Sequence, residues 1–477
     1  MKYTEERQYL FNGNECINET IQTPIIRNTD IVVAGGGFAG ITAAVSAARS
    51  GSKVILLEKY GCLGGLASLG MVNYVTPYKD WYEHIVGGIG YEIVEKLKIL
   101  GAKEAEYDVT EEHPWLSDKL NWKTDLFGEV VGKKRYGVQF DSEKLKIVAD
   151  ELLLNENVEI FYHAAVVAAT TKEGHVETII AETKGGRIAI NAKAFIDCTG
   201  EGDLAAVAGA EFLKGRAKDG KLLPVTTMIR IRGVDVKQAM AYQKVCRDQY
   251  GYADILIKAR AEGKIDIPHT YILVRPTVYG DGLEINGTRV TDIDGTNIYD
   301  ITKAEIVIRK QAEALESFFR EYVPGCKNAY TAEIAPMLGI RETRRILGEY
   351  VIQDEDLPNA SKFYDSVGRG TIHVDIHNPE GGGYDIRPVK AGDWYEIPYR
   401  SLIAKGFTNL FMAGRCVSST SIAQSGLRLY LNVFVSGQGA GTAASLCVRG
   451  GVAARDLDVG LLQKTLTDAK VKLVSTK

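Results

Sequence analysis

Asp30-IVVAGGGFAGITAA-Val45 is the stretch whose reading decides the fold. Ile31, Val32 and Val33 form an apolar, β-branched run of the kind a buried strand requires. The run leads straight into Gly35, Gly37 and Gly40, and a small-residue helix pattern follows. In this spacing Gly35 permits the tight turn, Gly37 lets a pyrophosphate approach the backbone, and Gly40 lets helix and strand pack closely. Backbone N–H groups at such a turn point at an anion, and the helix dipole adds to the attraction. A second strand, Lys53-VILLE, ends in Glu58, where an acidic residue holds a ribose hydroxyl. A glycine turn without a ligand needs neither the strands nor the acid, so the joint match predicts a dinucleotide site.

The chain's 477 residues exceed one ordinary core and predict two or more domains. A composition 45% hydrophobic and 25% charged is that of a globular protein. The net charge of −4 argues against nucleic acid as the main partner. Lys133-Lys134-Arg135 and Arg344-Arg345 read as solvated faces or local ion pairs. Cys16, Cys62, Cys198, Cys246, Cys326, Cys416 and Cys447 are scattered without a CxxC, which predicts neither a disulfide framework nor a metal site. That usage suits a reducing compartment, and the charged start MKYTEERQYL is unlike a secretory signal, so the expectation is cytoplasmic. No apolar run reaches about 18 residues, which predicts no membrane span.

Residues 1–26 are polar and weakly patterned, an N-terminal arm. Gly61-CLGGLASLGM-Val72 is again glycine-rich and follows Glu58 directly, beside the ligand. Residues 76–140 are dense in aromatics (Tyr78, Trp81, Tyr82, Trp115, Trp122, Tyr136), which fits either a cover over a pocket or an ordinary second core. Residues 141–157 have helical spacing. Three β-rich runs between Val158 and Asp197, joined at Glu173-Gly174 and Gly185-Gly186, form a meander. Residues 213–395 are mixed, with a predicted loop from His373 to Tyr384, and Ser425–Cys447 reads as a buried helix.

Three further segments accompany the glycine turn: Phe195-IDCTGEGD, Asn409-LFMAGRCVS, and a helix opening near Gly426-LRL. With the meander they resemble the two-dinucleotide-binding-type FAD flavoproteins, whose FAD-binding fold is that of glutathione reductase. More narrowly, Met337-LGIRETRRILGEY, Val374-DIHNPEG, Ile397-PYRSL and the GQGAGTAA helix resemble the bacterial family of FAD-dependent oxidoreductases, over most of residues 29–450.

The resemblance implies an α/β protein with a Rossmann-like FAD-binding domain, a β-meander, and an inserted α+β cap. Residues 27–75, 141–212 and 396–455 are the expected FAD-binding domain. Residues 76–140 and 213–395 are the expected cap, and 456–477 a tail. Gly35, Gly37, Phe38, Ala39 and Gly40 are expected at the pyrophosphate, Glu58 at the ribose, and Lys59 among the cofactor-binding residues. Val166 is expected near adenine, and Thr199, Gly200 and Asp203 around the nucleotide, with a helix cap the other reading of Asp203. Gly64, Gly65, Ala67, Ser68, Gly414 and Arg415 are expected along the ribityl chain and ring. Gly426, Leu427 and Arg428 are expected to open a helix facing the flavin N1–C2=O edge, where a dipole favours negative charge.

Catalytic candidates are His377, which the family loop favours, and His373. A histidine can take a proton while hydride leaves a neighbouring carbon. A hydrogen-bonded structural histidine is the other reading. Arg341, sharing a face with Arg345 if helical, and Arg400 are candidate clamps for a carboxylate or polarised carbonyl, or members of ion pairs with Glu342 or Glu349. Cys62, beside the expected flavin, reads as a small filler, a covalent cysteinyl link or a redox group. Ser421 or Ile422 stands where many relatives carry a histidine, which shifts the chemistry to His377. The expected partner is a small polar substrate. The electron acceptor and any self-association stay open, as do an alkene reductase and an electron-transferring subunit.

Overall fold

The computed structural model describes residues 19–79, 85, 87–108, 134–245, 252–269, 271–390 and 393–473. Most of the expected N-terminal arm, the end of the tail, Cys16, Cys246, Lys133, Trp81, Tyr82, Trp115, Trp122 and the side chain of Tyr78 lie outside the described residues.

A seven-stranded sheet carries the molecule. Its order is Glu159–Tyr162, Val54–Glu58, Ile25–Ala34, Gly186–Asp197, His175–Thr183, Ala165–Lys172, with Leu410–Met412 also on Gly186–Asp197. Ile31, Val32, Val33 and Ala34 are fully buried, as an apolar run covered on both faces of a parallel sheet requires. Val32 pairs in register with Ile55 on one side and Phe195 on the other. The long strand Gly186–Asp197 is shared. Its first half pairs antiparallel with His175–Thr183, and Phe195–Asp197 pair parallel with Leu410–Met412. The expected meander is present, and its first turn holds Glu173 and Gly174 at positive φ (49° and 74°).

Helix Phe38–Arg49 lies on this sheet and is crossed closely by helix Tyr430–Gly450, almost all of it buried. The crossing is glycine-dependent. A Cβ on Gly437 would stand 2.1 Å from Thr42 Oγ1 and 2.4 Å from Ala39 O, and one on Gly441 2.1 Å from Ala43 O. Phe38 completes the joint against Tyr430 and Phe434, at 4.8 and 4.6 Å between ring centroids.

A second, antiparallel sheet (order Leu273–Pro276, Leu283–Asn286, Ile229–Arg232, Tyr330–Ile334) packs with helix Ile298–Tyr322 around a separate core containing Ile231, Ile285, Leu315 and Phe319. The core boundaries depart from the expected division in two places. Helix Gly88–Ile99, expected in the cap, buries Ile93 and Leu97 in the cluster that holds Ile31 and Val45. Val367, Ile372 and Val374, also expected in the cap, join the same cluster beneath helix Tyr430–Gly450. Apolar spacing identifies a buried face but not the partner that covers it.

Two local expectations are corrected. His373–Tyr384 is not a loop: Val374–His377 pairs antiparallel with Tyr384–Arg387, His377 opposite Tyr384. Arg341–Arg345 is not helical. Arg344–Ile346 is a strand paired with Phe212–Lys214, so Arg341 and Arg345 do not share a helical face. Among the described residues, no helix is long and apolar enough to cross a membrane.

Candidate active site

One cleft of about 370 Å³ gathers residues far apart in sequence, from the glycine turn to the Val374–His377 hairpin. At its first end Gly37 is the N-cap of helix Phe38–Arg49, with extended backbone, no side-chain cap and no acid in the first turn. Helix Tyr430–Gly450 starts in the same way at Leu429, which also lines the cleft. Asp141, Asn297, Thr420 and Asp458, by contrast, cap their own helices. Both cleft helices thus present amides that no side chain satisfies, with the positive dipole end behind them.

A Cβ on Gly37 would meet nothing within 4 Å, so the space above it is open to a ligand. Gly35 has φ +97°, and a Cβ there would stand 2.4 Å from Cys198 O. Gly40 does not line the cleft. Its Cβ would sit 1.8 Å from Gly35 O, so its role is helix-to-strand packing. Phe38, Ala39, Gly64 and Gly65 line the wall, where Gly37 and Gly64 run side by side. Ala67 and Ser68 turn inward instead: Ala67 is fully buried, and Ser68 Oγ donates to Leu63 O at 2.7 Å.

Glu58 is buried at the end of its strand and accepts from Gly36 N–H (2.6 Å) and Tyr60 N–H (2.9 Å). Burial raises its pKa, and each oxygen keeps a lone pair for a ribose hydroxyl. Lys59, Thr199, Gly200, Gly414 and Arg415 line the same end. Arg415 is fixed by Gly200 O, which accepts from Nε at 3.2 Å, and by an ion pair with Glu201. Asp203 is not on the lining. It heads the short helix Asp203–Val207 and accepts from Arg344 Nη1 at 2.9 Å, its carboxyl raised to about 6 by burial and by Glu201. Val166 is on strand Ala165–Lys172, off the lining.

Open space over Gly37, two uncapped helix ends and a buried acid fit an elongated dinucleotide. A model of the family described as FAD dependent oxidoreductase matches residues 30–466. The chain belongs to this family. It is an FAD-dependent oxidoreductase, and FAD is its cofactor.

Among curated proteins, the chain is 42% identical to the cinnamate reductase of Clostridium sporogenes over 81 residues, 16% of this chain and 11% of the reductase. It is 35% identical to the NADH oxidase of Thermoanaerobacter brockii over 86 residues, 17% of this chain and 13% of the oxidase. The chain thus spans only about a tenth of the length of these relatives. Among solved structures it is similar to the p-nitrophenol 4-monooxygenase of Pseudomonas putida DLL-E4, at 12% identity and TM-score 0.48, over 93% of this chain and 88% of that one.

In this FAD-dependent oxidoreductase the far end of the cleft corrects one expectation. Gly426 and Leu427 do not open the helix at the cofactor. They end helix Ser421–Leu427, with Gly426 against Leu357 and His373 O, and Leu427 in the core. The helix that faces the cleft begins at Tyr430. Arg428, in the link between the two helices, does line the cleft and bonds Asp375 Oδ2 at 3.0 Å.

His377 and His373 both line this end. His377 Nε2 lies 3.2 Å from Asp375 Oδ2, while Nδ1 is buried without a hydrogen-bond partner. Burial first, then the positive charge of Arg341, lower the imidazole to about 3 against the opposing pull of Asp375. Asp375 itself is held well below the carboxylate range, its burial outweighed by the hydrogen bond with His377 and the charge of Arg428. Arg341 is buried on the lining and donates Nη1–H to Pro224 O at 2.5 Å. Among the described residues no carboxylate lies within ion-pair distance of it, so neither Glu342 nor Glu349 neutralises it.

Arg400 is removed from the site. It is off the lining, its Nε bonds Asp365 Oδ2 at 2.9 Å, and its guanidinium lies between the rings of Tyr350 and Tyr364. Cys62 is also off the lining, and burial raises its thiol, the opposite of an activated cysteine. Among the described residues no three His, Cys, Asp or Glu side chains cluster to hold a metal.

Sequence reasoning missed Asp375, Tyr271 and Tyr384. Asp375 stands two residues before His377, so reading HVDIH as a strand would have put both on one face. The two tyrosines, stacked at 5.1 Å, come from separate segments and leave no local signal.

Proposed function

We propose that this enzyme moves a hydride between flavin N5 and a small polar organic substrate held between the FAD-binding sheet and the second, antiparallel sheet acting as a cap. When bound, FAD supplies a two-electron acceptor or donor at N5. Gly35, Gly37, Phe38 and Ala39 would hold its pyrophosphate, Glu58 a ribose, and the amides before Tyr430 the flavin edge that becomes negative. The residues left at the far end carry the rest of the chemistry.

The observation that carries this reading is the His377–Asp375 pair. An ionised Asp375 keeps the proton of His377 on Nε2, which leaves the Nδ1 lone pair as the acceptor without a partner. A neutral imidazole fixed in one tautomer can remove a proton from a substrate oxygen or nitrogen as hydride departs, and return it in the reverse direction. Cap residues Met228, Leu273 and Asn286 line the opposite wall and would exclude water.

A second reading has the enzyme reducing an activated carbon–carbon double bond, with the proton supplied by a group other than the neutral His377. The short match to a cinnamate reductase favours it. Anaerobic mixing of the yellow holoenzyme with hydroxy acids, sugars, alcohols and amino acids, watching flavin bleaching, tests the first reading. The second predicts dye-reduced enzyme reoxidised by unsaturated compounds. A bound flavin inert in both directions would overturn both.

A further inference from the structure

The far end of the cleft holds more positive charge than the protein balances. Arg428 is compensated by Asp375 at 3.0 Å, and the nearby Glu284 is already bonded to Arg230, Asn73 and Gln139. Besides Arg275, which lies over the ring of Tyr74 at 3.9 Å, two guanidinium groups remain. Arg341 lines the cleft with Pro224 O as a neutral partner. Arg289, 1% exposed, stands over the ring of Tyr384 at 5.5 Å and bonds Gly383 O at 3.4 Å, while its Nε and Nη1 have no hydrogen-bond partner. Tyr384 and its stacked neighbour Tyr271 line the cleft, so Arg289 lies directly behind the wall.

A buried guanidinium without a counter-ion is costly to keep charged. The cost is visible in the cluster: Arg341 is lowered to about 9 by burial and then by Arg428, with Arg289 contributing, and burial lowers Arg289 as well. A neutral substrate would leave both unbalanced. An anion in the cleft would answer Arg341 directly and Arg289 through the thickness of one tyrosine ring.

We propose that the substrate is an organic acid whose carboxylate is received by Arg341, with Arg289 behind Tyr384 supplying a second positive charge. This rests on the reading above that the cleft takes a small polar substrate beside FAD, and it narrows that substrate to one chemical class. Hydrogen bonds from a guanidinium to a carboxylate are charge-assisted and orient a planar group, which would set the carbon next to the carboxylate against His377.

The test is binding without turnover. The oxidised holoenzyme is titrated with acetate, propionate, lactate, succinate and crotonate, and with the matching primary amides, following the flavin absorption shift and the thermal midpoint. Acids are expected to bind at least about tenfold more tightly than their amides, with affinity falling as salt rises. Arg341→Met is expected to weaken acid binding on the order of 30-fold or more and amide binding by a much smaller factor, so that the acid-to-amide ratio collapses. Arg289→Met is expected to narrow the acid-to-amide ratio in the same direction by a smaller factor, and provides the comparison should Arg341→Met not fold.

Equal binding of acids and amides in the wild type would overturn the proposal. So would unchanged acid affinity in a folded Arg341→Met, including one whose flavin potential has shifted, because Arg341 would then serve the reduced cofactor. Flavin bleaching by a neutral alcohol that acids do not inhibit would overturn it while leaving hydride transfer intact. Tight acid binding with a flavin that no compound reduces would support it while sinking the hydride-transfer reading.

Discussion

His377 Nε2 and Asp375 Oδ2 face each other at 3.2 Å on one edge of a four-residue strand. The period of two in an extended chain puts residues i and i+2 on the same side, so the pair is built by local backbone geometry alone. We expect His377→Ala to slow flavin reduction by substrate about 10²-fold or more with FAD retained. Asp375→Asn should also slow it, because the amide no longer dictates the tautomer, and it frees Arg428 as well. Rapid-mixing kinetics on the two variants check this; unchanged reduction rates in His377→Ala would remove the residue from the chemistry.

Gly37 and Gly40, three residues apart, predict opposite failures. Gly37 has φ −67° and open space beside it, so Gly37→Ala should leave the apoprotein's melting temperature unchanged and weaken FAD on the order of tenfold or more by occupying the pyrophosphate's approach. Gly40→Ala forces a Cβ to 1.8 Å from Gly35 O and should destabilise the fold itself by about 3 kcal/mol. Flavin titration and apoprotein melting separate the two effects. A Gly37→Ala protein that binds FAD as the parent does would place the pyrophosphate elsewhere.

Arg400→Ala should cost stability and not activity. The side chain is about a third exposed, but its partner Asp365 is fully buried and its carboxylate would keep only the backbone N–H of residue 400. We expect a loss of about 1–3 kcal/mol in denaturant unfolding, with kcat/KM unchanged for whichever compound reduces the flavin. A large fall in kcat/KM with normal stability would return Arg400 to the site.

Acid should destabilise this protein early. His377 is held at about 3, whereas the imidazole of an unfolded chain titrates near 6.5. Between these values the unfolded state binds the extra proton, so stability falls as pH drops from about 6.5 toward 3. Buried His269 is depressed in the same direction, and Asp375 adds a loss below the ordinary carboxylate range. His377→Asn should flatten the fall between about pH 6.5 and 4. A slope identical to the parent's in chemical denaturation would mean that His377 is not held neutral.

The glycine-turn end of the cleft was legible because its geometry is backbone geometry. A strand, a turn and a helix start in contiguous residues must produce the geometry at Gly35–Gly40, and Glu58 ends the adjacent strand. The far end was only partly legible. Arg341 and His377 were identifiable as residue types able to bind or move charge, but not the vacancy beside one or the carboxylate beside the other. Those depend on which of several acids and cations meet in three dimensions. Arg400 and Asp203 show the converse: each looked chemical in one dimension and found a structural counter-charge in three. The helix start was misplaced by a few residues because Gly426 reads as an opening, while the backbone uses it to let Leu357 and His373 approach.

The glycines where helix Tyr430–Gly450 crosses helix Phe38–Arg49 bear on more than packing. The first helix starts where the pyrophosphate is expected and the second where the flavin edge is expected, and the two touch backbone to backbone. That joint acts as a caliper. With backbone close to backbone at Gly437 and Gly441, and Phe38 wedged against Tyr430 and Phe434 at the open end, the distance between the two helix starts is set by close packing. A single methyl group on Gly441, 2.1 Å from Ala43 O and off the cleft lining, would change that distance.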